Sequence, residues 1–280
     1  MQSKTKTYQL IMSKNIFFLG CGKMGTKILN NLIKNNLFNK QDFLILKPTQ
    51  NNKINDINHI SNLDDIPKNY QADVIFICIK PQNASKILQE LAQSKIFKQN
   101  TVIISILAGK STFFFKNIFG QNSQIARCMP NTTLEVDHGI IPIFFDGVNE
   151  NNKTLVNNFF KNCGLYFEIK DENLFHALTA LYGCGPAYIF LLQEIFENLA
   201  KKYLIPHEII RELTTNLFLG SAVLSQKSSK NFKDLRADVT SKKGVTEASL
   251  KSLIKNNKLQ NVFSKALESG IKKSQRLEKL

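Results

Sequence analysis

The sequence predicts an α/β chain, with a doubly wound, mostly parallel sheet in the first part and an all-helical domain after it. Three observations predict this. The apolar run Ile16-Phe17-Phe18-Leu19 leads into Gly20-Cys21-Gly22-Lys23-Met24-Gly25, and a helical apolar pattern follows. Apolar strands then alternate with helical segments as far as residue 168, which is the pattern of a parallel sheet with helices on both faces. From Asn173 onward the strand signal disappears and apolar residues recur at helical spacing.

The chain has 280 residues, 43% of them apolar, enough for two ordinary domains and a substantial core. Residues 1–14 are polar and lysine-bearing and read as a flexible extension, too short in apolar residues for a secretory segment. No apolar run approaches the ~20 residues of a membrane helix, so no membrane partner is expected. Five scattered cysteines without a C-x-x-C pair argue against a metal or disulfide framework and for a reducing, cytoplasmic setting. The net charge of +15 comes from lysines that are spread out, often beside asparagine, as in the residue usage of an A/T-rich genome. Without basic stripes and aromatic platforms, no nucleic-acid partner is expected.

Each glycine of the turn has a physical use: a tight turn at Gly20, close approach of a pyrophosphate at Gly22, and close helix–strand packing at Gly25. The helix behind it carries Met24, Ile28, Leu29, Leu32 and Ile33 on one face, and its N–H groups face the phosphates. Phe43-Leu44-Ile45-Leu46 is the second strand. An NAD site usually places a carboxylate at its end; here Lys47-Pro48-Thr49 follows, and Lys47 and Thr49 suit a 2′-phosphate. NADPH is therefore the expected cofactor, with NADH the alternative.

Asp73 to Ile79 is an unbroken apolar run containing Cys78, as for a central strand buried on both faces, and it ends in Lys80-Pro81-Gln82. Thr101 to Ile106 repeats the pattern and ends in Leu107-Ala108-Gly109, small enough to let a nicotinamide lie close. Gln124 to Met129 leads into Pro130-Asn131-Thr132, where Asn131 either bonds the cofactor or simply favours the turn. Gly139 to Phe145 is a further strand, and together these segments make a Rossmann-like domain over residues 15–168.

In the second domain, 169–280, Pro186 to Tyr203 reads as a helix apolar nearly all round and so buried. Further helices begin at Pro206 and run through Leu250 to Ile254 and Val262 to Ile271. This is more apolar surface than one protomer covers, and a homodimer is expected. The stretch Leu181 to Ala187 holds two glycines and a proline. The polar loop Val239 to Glu247 carries hydroxyls at the start of a helix and suits a carboxylate, or serves as a cap through Thr246.

The ordered set of motifs resembles the pyrroline-5-carboxylate reductase family. It runs from Gly20-x-Gly22-x-Met24-Gly25 through Lys80-Pro81-Gln82, Ser105 to Gly109, Arg127-x-Met129-Pro130-Asn131-Thr132, Thr179 to Leu181, Gly183-x-Gly185-Pro186-Ala187-Tyr188 and Leu235-Arg236 to Val239-Thr240-Ser241 and Gly244-x-Thr246. The resemblance implies NAD(P)H-dependent reduction of the C=N bond of 1-pyrroline-5-carboxylate to L-proline, the last step of proline biosynthesis. It also implies a Rossmann domain, a dimerising helical domain, and in some members a larger ring of dimers. By the same resemblance Gly20 to Gly25 bind pyrophosphate, and Cys78, Ile79, Lys80, Pro81, Leu107, Ala108, Gly109 and Asn131 line the cofactor. Ser241, Gly244, Val245 and Thr246 hold the substrate, with the Thr246 hydroxyl near the imine nitrogen as the catalytic group.

The sequence departs from the family at Lys242 and Lys243, where proline and glycine are usual, at Tyr182 and Cys184 beside Gly183, and at His176, where an acidic residue is common. The four histidines are expected at the surface or in caps. The rival expectations are a β-hydroxyacid-dehydrogenase-like enzyme and a non-catalytic NADP(H)-binding regulator.

Overall fold

The computed structural model describes residues 14–35, 38–47, 56–81 and 84–278. The extension at 1–13, Thr49 and Gln82 lie outside them. The chain divides into two units, the first comprising residues 1–183 and 271–280 and the second residues 184–270.

The first unit is built on eight strands: β1 (Ile16–Leu19), β2 (Phe43–Leu46), β3 (Asn58–Ile60), β4 (Ala72–Ile77), β5 (Phe97–Ser105), β6 (Gln124–Cys128), β7 (Gly139–Asp146) and β8 (Gly164–Glu168). They form one sheet in the order β3-β2-β1-β4-β5-β6-β7-β8. All pairs are parallel except β6 with β7. The chain between β6 and β7 has no room for a crossover helix, and an antiparallel neighbour can be reached by a short connection.

The central strands read as unbroken apolar runs because they feed two cores. Ile16 and Phe18 face one layer with α1 (Lys23–Lys34) and α4 (Glu150–Phe160); Phe17 and Leu19 face the other with α2 (Ala84–Gln93) and α3 (Thr112–Phe119). β4 does the same with Val74 and Phe76 against Ile75 and Ile77. Aromatic contacts bind the first layer: Phe18 stacks on Phe76 at 4.6 Å, and Phe76 meets Phe159 edge-on at 5.1 Å. Beyond β8 come α5 (Leu174–Leu178) and a π-helical turn over Thr179–Gly183, at the glycine-rich interruption expected there.

The second unit is helical: α6 (Gly185–Lys202), α7 (His207–Lys227), α8 (Phe232–Asp238), α9 (Val245–Ile254) and the first part of α10 (Lys258–Glu278). Phe196 of α6 meets Phe218 of α7 edge-on at 5.6 Å, and Tyr188 meets Phe263 of α10 at 6.3 Å. The expectation that α6 is buried all round is corrected. No residue of α6 is buried in the chain, and Phe190 is 62% exposed. Its apolar residues encircle it, whereas neighbouring helices of the same chain cover part of the circumference. The continuous helical run 174–202 is long and apolar enough to cross a membrane by length and composition alone. Gln193, Glu194 and Glu197 break its apolar run in sequence without making the whole segment polar.

Candidate functional site

The expected cofactor residues gather at the carboxyl ends of β1 and β4, where the sheet order reverses and ligands of such folds bind. Gly20 N–H donates to the Leu46 carbonyl at 2.9 Å, and Cys78 N–H donates to the Leu19 carbonyl at 2.9 Å, locking the turn to both neighbouring strands. Gly20 sits at φ +79°, and a Cβ there would lie 2.7 Å from Ile79 Cγ2. At Gly25 a Cβ would lie 3.0 Å from Cys78 Cβ, so α1 packs directly on the end of β4. Around Gly22 nothing of the protein lies within 4 Å of a Cβ position.

Gly22 is also the N-cap of α1, without a side-chain cap or an acid in the first turn. The backbone N–H groups of Lys23, Met24 and Gly25 therefore lack intrahelical acceptors and leave a positive dipole end for an anion. Lys47 lies close enough for its charge to oppose the burial that raises the Cys21 thiol pKa, which sets a cation beside the turn. Burial holds the Cys78 thiol well above its ordinary value, so neither cysteine is poised as a thiolate.

Other expected cofactor residues sit as follows. Lys80 is exposed and Pro81 partly exposed just past β4, and Ala108 is partly exposed past β5. Leu107 is buried in the core, so its side chain faces away from solvent. The Asn131 side chain is buried and engaged within the fold. Its amide donates to the Tyr182 carbonyl at 3.0 Å, and its oxygen accepts from Thr133 Oγ1 at 2.7 Å and Ile140 N–H at 3.0 Å. It clamps β7 to the π-helical turn, the local role weighed for it as the alternative to cofactor binding.

The expected substrate residues lie together in the second unit, at the start of α9. Gly244 is the N-cap and Thr246 the second helical residue, which corrects the reading of Thr246 as the cap. No side chain caps this end, so the Val245 and Thr246 N–H groups have no intrahelical acceptor. Gly244 N–H donates to the Ser241 carbonyl at 3.1 Å, and a Cβ at Gly244 would lie 2.2 Å from Ser241 Oγ. A side chain there would displace the hydroxyl. Lys243 takes φ +58°, the left-handed region that favours glycine, and its N–H donates to the Glu247 carboxylate. Glu247 thereby reaches back over the turn and holds the loop that precedes the helix.

His176 departs from the surface position expected of it. It is buried, with Nδ1 2.9 Å from Ser274 Oγ and Nε2 3.0 Å from Glu278 Oε2. Arg127, equally buried, donates to Glu172 at 2.8 Å and lies 3.6 Å from Glu278. Sequence reading missed this cluster, although a charged residue inside an apolar strand was its signal. Among the described residues no group of three or more His, Cys, Asp and Glu side chains is placed to hold a metal ion. A cleft of about 400 Å³ lined by Lys14, Asp73, Lys98 and Asn152 opens at the amino-terminal edge of the strands, away from these residues.

The reversed sheet order, the locked glycine turn and the open α1 N-terminus define a dinucleotide-dependent oxidoreductase of the Rossmann type. Two family models match: pyrroline-5-carboxylate reductase dimerisation over residues 172–277, and NADP oxidoreductase, coenzyme F420-dependent, over residues 15–109. The chain is similar to pyrroline-5-carboxylate reductases along nearly its whole length. It is 26% identical to the pyrroline-5-carboxylate reductase of Staphylococcus haemolyticus over 269 residues, covering 94% of this chain and 98% of the relative. Among solved structures it is similar to pyrroline carboxylate reductase of Plasmodium falciparum with NADP bound, at TM-score 0.85 and 26% identity, covering 95% of this chain and 98% of that one. The Coxiella burnetii pyrroline-5-carboxylate reductase gives TM-score 0.81 at 27% identity, covering 96% and 100%.

Proposed function

We propose that this chain reduces the C=N bond of 1-pyrroline-5-carboxylate to L-proline in the cytoplasm, with NADPH as the preferred reductant. The observation that carries the reading is the start of α9, where an uncapped helix N-terminus and the Ser241 and Thr246 hydroxyls offer donors for a carboxylate. NADPH, when bound, supplies the hydride. The N–H groups of residues 23–25 hold its pyrophosphate, and Lys47 attracts its 2′-phosphate. Lys80, Pro81 and the Leu107–Gly109 turn border its reactive end, while Cys78 and Asn131 support that border from within the fold.

Ser241, Gly244, Val245 and Thr246 hold the substrate carboxylate and orient the ring. A protonated cyclic imine is already electrophilic, so orientation supplies most of the acceleration and no acid–base triad or metal is needed. The carbon gains the hydride, the C=N pair of electrons moves onto nitrogen, and the Thr246 hydroxyl orients that nitrogen. The uncovered apolar faces of the second unit and the match to a dimerisation model support a homodimer built there, and a ring of dimers is the larger assembly it allows.

The test is NADPH oxidation with 1-pyrroline-5-carboxylate, run beside a 2-keto and a 3-oxo acid. Turnover with the imine is expected. Tight NADPH binding without turnover would instead identify a regulator, and turnover confined to the oxo acids a hydroxyacid dehydrogenase.

A further inference from the structure

The last turn of α10 belongs to the first unit and rests on the Leu107–Gly109 turn. Gly109 lies at φ +70°, and a Cβ there would be 2.6 Å from Leu277 Cβ and 3.1 Å from the Leu277 carbonyl carbon. No side chain separates the two segments; the backbone of the turn leans directly on Leu277. Glu278, the next residue, divides its carboxylate between the buried Arg127 and His176. The other ring nitrogen of His176 is bonded to Ser274, one turn earlier in α10.

The same cluster reaches the far side of the turn. Glu172 accepts from Arg127 and from both the N–H (2.8 Å) and the hydroxyl (2.9 Å) of Thr112, the first residue of α3. Arg127 also lies 4.4 Å over the Phe175 ring. The segment 109–112 is thus gripped at one end by Leu277 and at the other by Glu172, with Arg127 common to both carboxylates.

We propose that Leu277 and Glu278 form a positioning clasp that holds the Leu107–Gly109 turn in the geometry that receives the nicotinamide end of the cofactor. This rests on the reading of the chain as an NADPH-dependent reductase. Two arguments favour positioning over bulk stabilisation. Buried ion pairs add little net stability against apolar packing, and their better attested use is to fix one arrangement among several. The clasp also closes on a turn built of small residues, Ala108 and Gly109, which has few side chains of its own to hold its shape. Glu278 and Leu277 touch no reacting atom; they act through the backbone at Gly109.

The experiment compares the full chain with Glu278→Gln, Glu278→Asp and Leu277→Ala, by NADPH titration and by steady-state kinetics with the imine. Glu278→Gln and Leu277→Ala should raise the NADPH Kd and KM about five- to tenfold, the scale on which a coupled network acts. The KM for the imine and the thermal midpoint should stay near wild type, and Glu278→Asp should recover most of the affinity. Unchanged NADPH affinity in both variants overturns the clasp. So does a fall in thermal midpoint that lowers kcat with NADPH affinity intact. Wild-type protein that binds NADPH but leaves the imine unreduced overturns the reductase reading instead, while the titrations still decide whether the clasp positions the cofactor. Wild-type protein that binds no NADPH overturns both.

Discussion

The two units bury their apolar residues very differently. In the first, every residue of β1 and β2 is buried, and Phe17, Phe18, Phe76, Phe115, Phe159 and Phe160 are fully enclosed. In the second, Ile210 and Thr214 are the buried residues among those described, while Phe190, Leu191, Leu213, Leu219 and Leu224 are all more than half exposed. One unit closes its own core; the other leaves its apolar faces open to a partner. A cofactor site built from strand ends and backbone N–H groups suits the first, because its geometry is fixed by packing.

The largest expected effect lies in that open face. Phe190→Asp should turn a dimer into a monomer in sedimentation experiments. Burying one Phe is worth about 1.5–3 kcal/mol, and a symmetric dimer loses two, so dissociation should rise by about a thousandfold. A wild-type monomer at micromolar concentration would break the comparison outright. Gly25→Val attacks the closed unit. Its branches would meet Cys78, where even a Cβ lies at 3.0 Å, at a cost of about 1–3 kcal/mol in stability. NADPH affinity should fall at least about tenfold as α1 is pushed from β4, while dimerisation is unchanged.

Thr246→Ala should lower turnover at least about tenfold, equivalent to 1.4 kcal/mol of barrier, with NADPH affinity intact. An unchanged rate removes Thr246 from the mechanism. Lys47→Glu should shift preference from NADPH toward NADH by about tenfold, as expected from losing a charge-assisted contact. An unshifted ratio of kcat/KM values refutes the assignment of Lys47 to the 2′-phosphate. The smallest effect is expected from Lys243→Gly, which relieves a left-handed residue and should raise stability by about 1 kcal/mol in a denaturant titration.

Much of the first unit was legible because its strands are continuous apolar runs; β2 begins and ends where Phe43 to Leu46 predicts. β3 escaped because Asn58-His59-Ile60 is a short, largely polar edge strand, held by pairing with β2 and without a hydrophobic signal of its own. The antiparallel turn into β7 was equally silent, since apolar periodicity carries no direction. In the site, the residues legible in sequence are those whose backbone matters: the glycine turn and the start of α9. Asn131 was found, but its three internal hydrogen bonds could not be read from a Pro-Asn-Thr turn. His176 and Glu278 stand about a hundred residues apart, and local pattern offers no hint that their side chains meet.

The alternation of Ile16, Phe17, Phe18 and Leu19 between two cores limits how this chain can change length. Removing one residue within β1 would send Phe17 to the layer that Phe18 fills, and every later side chain of the strand would change sides with it. A substitution there disturbs one core, whereas a deletion disturbs both at once. Insertions and deletions in descendants of this chain should therefore fall between elements, leaving the strands with the same number of residues while their composition drifts among Ile, Leu, Val and Phe.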